Sequence, residues 1–131
     1  MADDDVVVLL VDDEEFLRDV LKAALEDADF SVLDASDGQT ALASLNEQGA
    51  RVRGLVTDID LGQASPSGWE IAREARLLNA HLPVIYMTGA SSHDWAAMGV
   101  PGSILLAKPF VPAQLITALA QLMNAVPPMP E

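Results

Sequence analysis

Five polar residues stand where the apolar runs of this chain stop. Asp12 and Asp13 follow Val6–Val11, Asp58 lies near the end of Gly54–Ile59, Thr88 ends Pro83–Thr88, and Lys108 follows Ser103–Ala107. Gathered in one crevice, they have a coherent chemistry. Three carboxylates side by side repel one another unless a cation is present. Hard carboxylate oxygens suit Mg²⁺ or Mn²⁺, and Mg²⁺ is held through one or two carboxylates, waters and phosphate oxygens. An ionised carboxylate is already a nucleophile, so one acid can attack phosphorus without a histidine base. A lysine and the metal neutralise charge on the transferred oxygens, and a threonine hydroxyl can donate a hydrogen bond to another of them. Each residue alone is weak: an acid pair after a strand is a common cap or turn, and a lone Thr or Lys at a strand end usually means nothing. The weight lies in the set and its order. His81 and His93 have no place in it and read as surface or loop residues.

The elements that must position these groups can be read from periodicity. Val6–Val11 is continuous and β-branched, like a strand buried on both faces. Phe16, Leu17, Val20, Leu21, Ala24, Leu25 and Ala28 mark one face of a first helix. Phe30–Ala35 predicts a second strand, punctuated by Asp37-Gly38. Ala41, Leu42 and Leu45 belong to a second helix that ends near Gly49. The third strand is Gly54–Ile59, and Trp69, Ala72, Ala75 and Leu78 mark the third helix. Pro83–Thr88 and Ser103–Ala107 are the fourth and fifth strands, with a short helix over Ser92–Met98 between them. Pro112 opens the last helix, whose apolar face is Leu115, Ile116, Leu119, Leu122 and Met123. Strands alternating with helices imply right-handed βαβ units and a parallel sheet covered on both faces. In such sheets, sites form at the carboxyl ends of the strands, where the winding direction reverses. That is where Asp12, Asp13, Asp58, Thr88 and Lys108 fall.

Composition narrows the function. The chain has 131 residues, half of them apolar, and no cysteine. That suffices for one domain with a real core and excludes disulfides and thiolate chemistry. No apolar run approaches the roughly 20 residues of a membrane span. The start, Met1-Ala2-Asp3-Asp4-Asp5, is acidic where a secretory signal is basic, so a cytoplasmic location is expected. Twenty acids face seven bases, for a net charge of −13. Duplex binding needs a basic footprint, so nucleic acid and anionic membranes are poor partners.

Leu9-Leu10-Val11-Asp12-Asp13-Glu14, Asp58 after an apolar strand, Thr88-Gly89-Ala90 and Lys108-Pro109-Phe110 together resemble the signature of response-regulator receiver domains of two-component signalling. Ala35-Ser36-Asp37-Gly38 with Ala41-Leu42 resembles the same family. The resemblance implies a flavodoxin-like, doubly wound α/β fold with five parallel strands in the order 2-1-3-4-5. It implies a phosphoacceptor role for Asp58. Asp13 and Asp58 would ligate Mg²⁺ (or Mn²⁺) directly, Asp12 would act through a bound water, and the Asp60 backbone carbonyl would complete the protein ligands. Thr88 would be the switch hydroxyl and Lys108 the partner of the phosphoryl group, with a cis Lys108–Pro109 bond. The donor would be a histidine kinase or histidine phosphotransfer protein. Such a domain phosphorylates and dephosphorylates itself rather than turning over a separate substrate.

Residues 6–125 would form the receiver domain, flanked by an acidic extension over 1–5 and a proline-rich tail over 126–131. Met1 and the proline tail suggest a stand-alone protein without an output domain. Signalling would then run through protein contacts on the face of helix 4, strand 5 and helix 5, with helix 1 docking the kinase. Departures from the family pattern bear on the switch. Leu105 stands where the family usually has Tyr or Phe, Gly99-Val100-Pro101-Gly102 would break helix 4 early, and Gln63-Ala64-Ser65-Pro66-Ser67 lengthens the loop before Gly68.

The alternative is a haloacid-dehalogenase-like phosphatase or phosphotransferase using Asp58 and Asp60. Those enzymes place the two-aspartate motif on the first strand and the acid pair last, the reverse of the order here. A flavin or nucleotide module would need a Gly- or Ser/Thr-rich phosphate cradle where Asp12-Asp13-Glu14-Glu15 stands. A receiver that only scaffolds would lack a member of the set, and none is lacking.

Overall fold

A computed structural model describes residues 6–62, 65–89 and 94–125. Five strands form one parallel sheet: β1 (Val6–Val11), β2 (Phe30–Ala35), β3 (Val52–Asp58), β4 (Val84–Thr88) and β5 (Ile104–Ala107). Their order is β2-β1-β3-β4-β5, as the family resemblance implied. The helices are α1 (Glu15–Asp27), α2 (Gly38–Gln48), α3 (Gly68–Leu78), α4 (Trp95–Met98) and α5 (Pro112–Ala125). Winding reverses between β1 and β3, so a crevice opens there at the strand ends.

Strand alternation divides the core. Val7, Leu9 and Val11 of β1 face Ala41 and Leu45 of α2 and Trp69, Ile71, Ala72 and Ala75 of α3. Val8 and Leu10 face Leu21 and Leu25 of α1 and Leu115 and Leu119 of α5. Side chains on a strand alternate between faces, so an apolar run with no polar interruption buries both.

Several boundaries differ from the sequence reading for physical reasons. β3 begins at Val52 rather than Gly54. Gly54 lies inside the strand because a Cβ there would come within 3.3 Å of Leu119 and Met123, so the absent side chain lets α5 approach. Ser103 falls just before β5, its hydroxyl bound to the Val100 carbonyl at 2.7 Å. β4 starts at Val84, because Pro83 has no amide to donate. Of the short fourth helix, Trp95–Met98 is helical and Gly99 ends it as expected; Ser92, its expected start, lies outside the described residues. So do the extension over 1–5 and the tail over 126–131.

Two assignments of helix faces need correction. Phe16 and Val20 were counted with the buried face of α1, yet Phe16 is 82% exposed and Val20 also lies outside. Phe16 sits in the first turn, at the crevice rim, where it borders an open cavity of about 440 Å³ with Lys108, Pro109 and Phe110. Leu78 is likewise exposed: it is the last residue of α3, and its methyl covers Gly49.

Candidate functional site

The sequence-marked residues meet at the strand ends. Asp12 follows β1 directly and is fully buried. Its amide donates to the Ala35 carbonyl at 3.1 Å, extending the β1–β2 pairing by one residue. Its Oδ1 accepts from the Glu14 amide at 2.8 Å. Asp13 is exposed, on the crevice side of the α1 start.

Asp58 is the last residue of β3 and is largely buried. The next amide, Ile59, donates to Met87 of β4 at 3.1 Å. From the other side α3 presses close, with the Gly68 amide donating to the Ile59 carbonyl at 2.9 Å. A Cβ at Gly68 would stand 2.3 Å from the Asp58 carbonyl oxygen, so only glycine allows this approach. Ser67 caps α3, accepting from the Glu70 amide.

Thr88 ends β4 and is buried; its carbonyl accepts from the Lys108 amide at 2.7 Å. That bond sets Lys108 at the same level of the sheet. The Lys108–Pro109 bond is cis.

Carboxylate oxygens of Asp12, Asp13 and Asp58 all lie within 4.8 Å of one another. The Lys108 ammonium stands among them, 3.0 Å from Asp58 Oδ2, 3.4 Å from Asp12 Oδ2 and 3.6 Å from Glu14 Oε2. Burial pushes the Asp58 carboxyl above its ordinary range; the Lys108 hydrogen bond and charge oppose this, and the Asp12 charge adds to it. For Lys108, burial works against the ammonium, but the Asp58 hydrogen bond and charge, with Asp12, outweigh it and hold the amine above its usual range. Hard oxygens converging to this degree, against a single ammonium, fit a divalent cation. The arrangement can therefore hold such a cation and carry a carboxylate nucleophile beside it.

The other sequence-marked residues fall as follows. Asp60 is exposed; its amide points at Asp58 Oδ1 from 3.4 Å, and its own Oδ1 accepts from Gly62. His81 is exposed, away from the cluster, and His93 lies outside the described residues, as does Ala90. Trp69 packs in the core, its ring 4.6 Å from that of Tyr86. Trp95 donates from Nε1 to Ser103 Oγ at 3.0 Å. Sequence reasoning missed two polar partners of the cluster. Glu14 was quoted with the acid motif but given no role. Arg18 reaches the Asp12 carbonyl at 2.8 Å, and its only signal was that it is the sole base among the first twenty residues.

Comparison with known proteins agrees with this geometry. Residues 8–120 match the response regulator receiver domain. The transcriptional regulatory protein TrcR of Mycobacterium tuberculosis is 34% identical over 119 residues, 89% of this chain and 45% of that protein. The phosphate regulon transcriptional regulatory protein PhoB of Pseudomonas aeruginosa is 30% identical, over 92% of this chain and 53% of its own length. The chain thus spans about half the length of the curated regulators it matches. A response regulator receiver protein from Sinorhizobium medicae is 44% identical and superposes with a TM-score of 0.90, covering 95% of this chain and 98% of that one. The haloacid-dehalogenase alternative finds no support, since the match follows the receiver order of motifs. No helix among the described residues is long and apolar enough to cross a membrane. The matched span runs from the first strand into the last helix over the crevice residues themselves, and the chain belongs to the response regulator receiver domain family of two-component signalling.

Proposed function

We propose that this receiver domain accepts a phosphoryl group on Asp58 from the phosphohistidine of a histidine kinase or histidine phosphotransfer protein. The supporting observation is the convergence of the Asp12, Asp13 and Asp58 carboxylates, with the Lys108 ammonium 3.0 Å from Asp58. An Asp58 carboxylate oxygen attacks phosphorus, and the P–N bond to the donor imidazole breaks. The imidazole keeps the electron pair and takes up a proton. Lys108 neutralises a phosphoryl oxygen as charge gathers on it, and the Thr88 hydroxyl turns to donate to another. Asp12, Asp13 and Asp58, with the Asp60 backbone carbonyl, would hold Mg²⁺ or Mn²⁺. Such a cation, when bound, supplies neutralising charge at the phosphoryl oxygens. Attack by water on the aspartyl phosphate returns the domain to its starting state, so no separate substrate is turned over.

The donor docks along α1 beside the exposed Phe16. Output runs through protein contacts on the face of α4, β5 and α5 in the cytoplasm. The net charge of −13 argues against duplex nucleic acid and anionic membranes as partners. Intact-mass spectrometry after incubation with acetyl phosphate and Mg²⁺ tests the acceptor. One phosphoryl group is expected on the parent and none on Asp58→Asn; equal labelling of the two overturns the assignment.

A further inference from the structure

One nearly buried cation beside the crevice has no part in the phosphoryl chemistry. Arg18, in the second turn of α1, has a side chain only 15% exposed. Its Nη1 donates to the backbone carbonyl of Asp12 at 2.8 Å. Its Nε faces Asp34 Oδ2 on the edge strand β2 at 3.4 Å, close enough for charge pairing but without hydrogen-bond alignment. Lys22, one turn further along α1, stands 3.6 Å from the other Asp34 oxygen. A guanidinium is costly to bury, and here it is kept by one carbonyl and one carboxylate on different elements.

What Arg18 holds matters more than its charge. The Asp12 carbonyl belongs to the peptide group joining Asp12 to Asp13, so fixing that oxygen fixes the plane from which Asp13 departs. The Asp12 side of the junction is pinned by the bond from its amide to Ala35 and by the Glu14 amide on its Oδ1. Among the described residues, the Asp13 carboxylate has no hydrogen bond of its own, so its reach into the cluster depends on how the backbone presents it. Asp34 cancels much of the arginine's charge, which leaves the carbonyl bond as the contribution to the crevice. The planar fork of arginine can serve two acceptors at once, whereas a lysine ammonium on a flexible stem is a point donor.

We infer that Arg18 is a positioning residue for the metal-binding acids: by clamping the Asp12–Asp13 peptide it aims the Asp13 carboxylate into the cluster. This rests on the reading of Asp12, Asp13 and Asp58 as the cation site. The test titrates the whole protein with Mg²⁺ by calorimetry, alongside the backbone amide signal of Asp13 in metal-free protein by NMR. Arg18→Gln is expected to weaken Mg²⁺ binding by about tenfold, in line with the loss of groups that orient metal ligands. The Asp13 amide signal should shift, because its own peptide group loses an acceptor bond. Asp34→Asn, which leaves the carbonyl bond in place, should stay within about twofold of the parent, whereas a charge effect would show there. Arg18→Lys should fall between the parent and Arg18→Gln. Parent-like affinity and an unmoved Asp13 signal in a folded Arg18→Gln protein overturn the inference. If that variant does not fold, parent-like values in Arg18→Lys do so. A parent that binds no Mg²⁺ sinks the reading of the cation site itself, an outcome distinct from either.

Discussion

The Lys108 ammonium and Oδ2 of Asp58 face each other at 3.0 Å from the ends of β5 and β3. This ion pair does not offset the burial of Asp58, whose carboxyl stays above its ordinary range. The folded chain therefore holds the Asp58 proton more tightly than the unfolded chain does. The stability this contributes is fully present below the ordinary carboxylate pKa and is lost as pH rises toward the raised value. In metal-free protein at pH 7, Asp58→Asn should thus be more stable than the parent, with a higher thermal midpoint. The difference should shrink as pH is lowered through the carboxylate range. A midpoint lowered by the substitution at neutral pH would show that the Lys108 pairing outweighs burial.

Removal of the exposed member of the acid cluster should act mainly on cation binding. Asp13→Ala is expected to lower Mg²⁺ affinity at least about tenfold in calorimetric titration, since even indirect disturbance of metal ligands costs this much. The metal-free protein should hold or gain stability, because two carboxylates repel less than three. Equal affinity in variant and parent would remove Asp13 from the ligand set.

Two glycines near the crevice should respond unequally to the same added methyl. At Gly68 a Cβ would meet the Asp58 carbonyl at 2.3 Å and Ile59 Cα at 2.9 Å, so α3 must back away from β3. Gly68→Ala should cost about 2–3 kcal/mol and lower labelling of Asp58. At Gly89 nothing among the described residues lies within 4 Å, and Gly89→Ala should stay within about 0.5 kcal/mol. Chemical denaturation of both variants checks the contrast; equal losses would contradict the close approach of α3.

The switch is expected to pass through Thr88 to Trp95. Beryllofluoride with Mg²⁺, a mimic of the phosphoryl group, should change tryptophan emission. In a Trp69→Phe background, which isolates Trp95, Thr88→Ala should lose most of that change while still accepting phosphate at Asp58. An emission change that is the same with and without the hydroxyl would route the signal elsewhere.

The cluster was legible because chemistry and topology select the same places. Asp12, Asp13, Asp58, Thr88 and Lys108 all sit where a buried parallel strand ends, and apolar runs mark those ends in the sequence. Arg18 was not legible, because its position on a helix does not reveal that its side chain turns back over the preceding loop. Phe16 misled because helical periodicity reports a direction around an axis and not whether a neighbour lies opposite; its turn overhangs the crevice. Leu105 was singled out on β5, but its neighbour in the register could not be foreseen as the polar one. Tyr86 of β4 pairs with it, and the Tyr86 hydroxyl accepts from the buried Val100 amide at 3.1 Å. A ring on the neighbouring strand thus ties β4 to the segment that follows α4.

The brevity of α4 has a consequence for how the molecule opens. Four residues, Trp95–Met98, make one turn, and a single turn gains nothing from helical cooperativity. Its order is borrowed from the Trp95–Ser103 and Val100–Tyr86 hydrogen bonds. Such a turn forms a small unfolding unit of its own, whose opening leaves the sheet intact. In hydrogen–deuterium exchange, the amides of Ala97 and Met98 should exchange through this sub-global opening, far ahead of the β1 and β3 amides, which wait for the whole domain to unfold.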